Sequence, residues 1–152
     1  LAEVVSKGGN LLLNVGPTAR GTFDERAKER LEGIGAWMDG HSRSIYGCTQ
    51  APDEFKTPRN CLLTYNPTAK RLYVHVLEWP MGALFLDGFA GRVAYAQLLN
   101  DASEVRFIDQ SRVGEIGFFT EERKGEKGNA IILRLPVQPP AVTVPVVELF
   151  LK

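Results

Sequence analysis

The sequence predicts a mostly β protein: an antiparallel β-sandwich of about eight strands, preceded by one strand–helix unit of an α/β barrel or open sheet. Three observations carry this. The hydrophobic period changes along the chain, from a continuous apolar run followed by a helical stripe to repeated two-residue alternation. Fifteen Gly and nine Pro punctuate the second part with turns, as short strands require. The length of 152 residues is too small for a complete (β/α)8 barrel, which takes about 250.

The charges set limits on partners. Lys and Arg total 18 and Asp and Glu total 18, so no net field draws the chain to nucleic acid or to an anionic membrane surface. No apolar run approaches the roughly 18 residues of a membrane span. The chain opens on Leu1 inside an apolar, helix-like stretch, without the n-region, h-region and cleavage site of a signal peptide. That start points to a processed protein or a piece of a longer one. Cys48 and Cys61 fit no metal spacing and read as free thiols; a single bridge between them depends on geometry.

Residues 1–47 form the first region. Asn10–Val15 is a short apolar run between Gly8-Gly9 and Gly16-Pro17, which reads as a strand buried on both faces, as in a parallel sheet. After the loop 16–21, Thr22 and Glu25 match a capping box. They predict a helix from about Phe23 to Asp39, stopped by Gly40. Phe23, Ala27, Leu31, Ile34, Trp37 and Met38 fall on one face of it.

Residues 48–60 read as a connector, and 61–152 as the sandwich. The alternating run Arg71–Glu78 puts Leu72, Val74 and Val76 on one face. Similar runs are Cys61–Asn66, Ala83–Asp87, Arg92–Leu99, Glu104–Ile108, Glu115–Phe119, Ala130–Leu135 and Pro145–Leu151. Thr120–Gly128 is a charged hairpin tip.

Chemistry-bearing motifs are few. There is no phosphate-binding Gly-rich loop, no HExxH, no zinc-spaced Cys/His cluster and no GxSxG elbow, so no cofactor or metal is expected. His75 reads as an outward sheet-surface histidine, and His41 as a cation complementing a helix end. Ser42 and Ser44 fall in a post-helix turn. Asp24, Glu25, Glu29 and Glu32 read as dipole complement and solvation on a surface helix, not as a general acid and base. Trp79 is either a sugar-stacking aromatic or part of the sandwich core or a domain interface, the second reading being preferred. The best positional clue is the carboxyl end of the buried strand, where α/β folds bind ligands. It marks Asn14 and Thr18 as substrate-proximal. For Asn14 the competing reading is a hydrogen bond to the loop backbone.

The segment Val5–Pro17 (VSKGGNLLLNVGP), the Gly21-Thr22 pair, the Leu31, Ile34, Gly35, Trp37 and Met38 face, and Ser44–Gly47 (SIYG) resemble the last βα unit of the glycoside hydrolase family 29 α-L-fucosidases. Arg71–Pro80 (RLYVHVLEWP) and the closing Leu135-Pro136 and Pro145–Leu149 are similar to that family's C-terminal β-sandwich. The resemblance implies that residues 1–47 are the last strand–helix unit of a (β/α)8 barrel. It also implies a retaining hydrolase of terminal α-L-fucose, whose Asp nucleophile and acid/base lie upstream of this chain, so no catalytic residue is expected within it. Two departures place cations where the family has anions: Arg20 before Gly21, and His41-Ser42-Arg43-Ser44 before Ile45. The implied partners are a fucosylated glycan for the parent enzyme, and either the rest of the barrel or another copy of the chain over residues 1–47. Family members occur in several compartments, so localisation is open. The alternative reading is a stand-alone carbohydrate-binding or scaffold sandwich.

Overall fold

A computed structural model describes residues 1–112 and 128–152. Among these residues helix α1 (Ala2–Ser6) and helix α2 (Glu25–His41) precede eight strands: β1 (Thr49–Gln50), β2 (Cys61–Asn66), β3 (Arg71–Val76), β4 (Ala83–Asp87), β5 (Val93–Leu98), β6 (Phe107–Asp109), β7 (Ala130–Arg134) and β8 (Val146–Leu151). They form a five-stranded sheet, β1-β2-β3-β8-β5, and a three-stranded sheet, β4-β7-β6. Every strand pair is antiparallel. The expected strand Glu115–Phe119, and the tip Thr120–Gly128 except for Gly128, lie outside the described residues.

The two-residue period explains the core. Leu63, Leu72, Val74, Val76, Val147 and Leu149 from the large sheet face Leu84, Leu86, Ile131 and Leu133 from the small one, all buried in one cluster. Phe55, from the stretch read as connector, joins this core and packs against Phe89 with ring centroids 4.6 Å apart. In the same stretch Thr49 and Gln50 pair with Tyr65 and Thr64 as an edge strand. Trp79 packs on the core and donates its Nε1–H to the Pro136 carbonyl at 2.9 Å.

Three expectations for the first region are corrected. Asn10–Val15 is in neither sheet, and Leu11, Leu12 and Leu13 are exposed, Leu12 at 91%. A central parallel strand takes its hydrogen bonds from two neighbours, and this chain supplies neither. The helix begins at Glu25, with Asp24 as N-cap accepting from the Arg26 amide at 2.9 Å. Thr22 does not cap it because its hydroxyl is hydrogen-bonded to that of Thr18. Gly40 does not end the helix, which runs on to His41. On its apolar stripe Ile34 is exposed and Trp37 and Met38 are half-buried.

His75 is also corrected: it is fully buried. Alternation does place it opposite Val74, but the outer face of the large sheet is covered there. Tyr73, Leu99 and Val146 make a second small cluster on that face with Trp37 and Cys48 packed on it. His41 is buried as well, so it is a packed residue and not a solvated one.

Candidate functional site

Polar side chains gather in two places: the loop after the apolar run, and the buried joint where α2 meets the sandwich. The loop is organised by Thr18. Its amide donates to the Thr22 carbonyl at 2.7 Å, the Gly21 amide donates to the Thr18 carbonyl at 2.9 Å, and the two threonine hydroxyls are 2.9 Å apart. An antiparallel bridge between Pro17 and Phe23 closes the base. Gly21 has a φ of 77°, a conformation that glycine adopts without steric cost. Thr18 is therefore a turn-former in the chain as it stands. Asn14 and Thr18 are both exposed, and the fold does not bring them into a common pocket with a titratable group. A groove of about 340 Å³ elsewhere runs between α1 and residues 50–57, floored by Leu62 and Leu63, and neither Asn14 nor Thr18 lines it.

The joint is better built. Trp37 donates its Nε1–H to the Val144 carbonyl at 3.3 Å and stacks on His41 with ring centroids 4.7 Å apart. The His41 Nδ1 lies 2.9 Å from the Trp37 carbonyl. A carbonyl only accepts, so Nδ1 carries the proton. Just after α2, Ser44 is buried and donates to the His41 carbonyl at 2.7 Å, while its own carbonyl accepts the Thr64 hydroxyl at 2.7 Å. Thr64 has thereby used its only proton. The 3.0 Å contact between Thr64 Oγ1 and His75 Nε2 must then be donated by His75. Burial, reinforced by nearby His41, holds His75 down to about 4.

Beside it sits a buried carboxylate. Glu148 is 3% exposed at its side chain and takes the Gln97 amide at 2.7 Å, the Tyr73 hydroxyl at 3.3 Å and the Arg43 guanidinium at 3.4 Å, with Arg71 at 3.8 Å. The register explains the grouping, since Glu148 is directly opposite Tyr73 on β3 and Gln97 on β5. Burial first and the Glu148 charge second push the Tyr73 hydroxyl up. Arg43, one of the cations that depart from the family pattern, thus meets an anion on the sandwich. Sequence reasoning missed this cluster. Its one signal was a lone Glu inside the apolar run Pro145–Leu151.

Four further carboxylates are engaged locally. Asp24 caps α2, Asp109 accepts from the Gly91 and Ser111 amides, Asp101 from Ser103, and Glu54 pairs with Arg92. Among the described residues no group of three or more His, Cys, Asp or Glu gathers in a way that holds a metal. Cys48 and Cys61 are free thiols, each pushed up to about 11 by burial.

Comparison with known proteins gives this arrangement a context. The family profile described as Alpha-L-fucosidase matches residues 1–43. The solved structure of α-L-fucosidase isoenzyme 1 from Paenibacillus thiaminolyticus superposes on 99% of this chain with a TM-score of 0.80 and 33% identity.

The chain belongs to the α-L-fucosidases of glycoside hydrolase family 29 and matches their C-terminal part.

The plasma α-L-fucosidase of Pongo abelii is 40% identical over 90% of the chain, and the α-L-fucosidase of Dictyostelium discoideum 32% identical over 94%. The chain spans about a quarter of the length of these two relatives, 27% and 26%, and 32% of the Paenibacillus structure. In this chain the joint built on Trp37, His41, His75 and Glu148 holds the segment that the family profile matches against the sandwich.

Proposed function

We propose that this fucosidase chain supplies the last strand and helix of a catalytic barrel, residues 1–47, and an accessory sandwich, residues 61–152, tied by the connector 48–60. The parent enzyme hydrolyses terminal α-L-fucose from glycoconjugates with retention, using two carboxyl groups about 5–5.5 Å apart that belong to earlier barrel strands. The observation that supports this best is the exposed run Leu11–Leu13, which falls inside the segment matched by the family profile. Three adjacent leucines in water are costly, and burial in a barrel wall would contribute about 1.5–3 kcal/mol each. Asp24, Glu54, Asp101, Asp109 and Glu148 are engaged in capping, turns or ion pairs, which supports an architectural role for this chain. Asn14 and Thr18 then stand at the mouth of the completed barrel, near the sugar.

The test is release of a chromogenic phenol from an aryl α-L-fucoside. Purified chain of verified mass is expected to match a heat-killed control, while the parent containing it turns over. Turnover by the chain alone contradicts the reading. Fucose binding that survives removal of residues 1–47 favours the alternative of an independent carbohydrate-binding module.

A further inference from the structure

Two imidazole nitrogens at the joint between α2 and the sandwich have no partner among the described residues, Nε2 of His41 and Nδ1 of His75. The hydrogen bonds above place a proton on the other nitrogen of each ring, Nδ1 of His41 and Nε2 of His75. Both side chains are buried, and Trp37 lies against both, with ring centroids 4.7 Å from His41 and 6.3 Å from His75. A proton added to either nitrogen creates a buried N–H and a buried charge with no acceptor, which folded proteins avoid.

The groups facing His75 offer no relief. They are His41 from α2, the Leu1 amino group ahead of α1, Tyr73 of β3, Cys48, and Glu148 of β8 with its partners Arg43 and Arg71. Four of these are potential or actual cations: His41, the Leu1 amino group, Arg43 and Arg71. The carboxylate of Glu148 already takes Gln97, Tyr73 and Arg43. Val144 adds a second stress. It is a β-branched residue at a φ of 50°, a conformation such residues rarely adopt, and its carbonyl is the acceptor for Trp37. Behind the sheet, by contrast, the core side chains of β3 are Leu72, Val74 and Val76, which do not titrate.

We infer that this joint is an acid-sensitive latch: protonation of His75 releases the C-terminal end of α2 from the five-stranded sheet while the sandwich core stays folded. The latch is a property of the joint and stands apart from the assignment of the whole enzyme. In a longer protein it would let acid loosen the helix unit from its supporting domain.

Hydrogen–deuterium exchange on the 152-residue chain at pH 7.0 and 4.5, corrected for intrinsic rates, reads the latch. Protection across α2 is expected to fall roughly tenfold to a hundredfold, while β2, β3 and β8 stay the more strongly protected. In His75→Gln, which retains a donor toward Thr64 and does not titrate, the fall is expected to shrink to about threefold or less. Equal protection at both pH values, an undiminished fall in the variant, or α2 and the sheet exchanging at one common level at pH 4.5 overturns the latch. Should the variant fail to fold, the wild-type chain decides, because it has only two histidines to follow by NMR. One histidine titrating well below the ordinary value of about 6.5, in step with loss of α2 protection, supports the latch. Both titrating at about 6.5 with α2 still protected overturns it.

Discussion

The indole Nε1–H of Trp37 donates to the carbonyl oxygen of Val144 at 3.3 Å across a separation of 107 residues. This bond joins the amphipathic helix to the loop that leads into the last strand. It sits beside the only helical residue of α2 that is buried, His41. Packing of α2 on the sandwich therefore depends on the C-terminal end of that helix, and the consequences can be measured.

Replacing Trp37 by Ala removes the donor and the ring that stacks on His41. Burial of a whole Trp is worth about 3–5 kcal/mol in such truncations. Trp37 is only half-buried, so a loss of about 2–3 kcal/mol is expected. Urea denaturation followed by circular dichroism checks it, with helix signal lost at lower urea than sheet signal.

Glu148 should tolerate charge loss better than truncation. Glu148→Ala leaves Arg71 and Tyr73 facing a buried void, at a cost of about 3–5 kcal/mol. Glu148→Gln keeps the shape and one acceptor, and is expected to cost about 1–3 kcal/mol. Arg43 is 61% exposed at its side chain, so Arg43→Met should cost under about 1 kcal/mol. Chemical denaturation of the three variants gives the order directly.

Stability should fall with acid. The folded-state value of His75 is about 4 against an ordinary 6.5, so the unfolded chain binds the extra proton first. Its contribution is fully present above about 6.5, declines as pH falls through the window down to about 4, and amounts to about 3 kcal/mol in all. Unfolding free energies at a series of pH values should show this slope, and His75→Gln should flatten it.

Both thiols should react slowly. With Cys48 and Cys61 pushed up to about 11, the thiolate fraction at pH 8 is on the order of one in a thousand. Labelling by a disulfide reagent is expected to be at least about a hundredfold slower than for a free thiol, and Cys61, inside the main core, should lag behind Cys48.

Much of the sandwich was legible in the sequence. Cys61–Asn66 and Ala83–Asp87 match β2 and β4 end to end, because alternation is clear and turn residues stop it on both sides. Thr49–Gln50 was not legible, since two residues carry no period. His75 shows the limit of alternation, which assigns a side chain to a face but does not say what covers that face. Here the cover comes from Trp37 and His41, far away in sequence. The cap moved from Thr22 to Asp24 because Thr18 competes for the threonine hydroxyl. Asn14 and Thr18 were picked by position at a strand end, and a strand end has meaning only when the strand has neighbours. The apolar run Asn10–Val15 has a pattern made for burial, and under the proposed function that burial comes from polypeptide beyond this chain.

That dependence is the central claim, and amide exchange at Asn10–Val15 tests it most directly. In the isolated chain these amides should exchange within about tenfold of the unstructured rate, while β3 and β8 stay protected. In the parent enzyme the same amides should be protected as strongly as those of a core strand. Unprotected amides at Asn10–Val15 in the parent, or full protection in a monomeric isolated chain, would contradict the account.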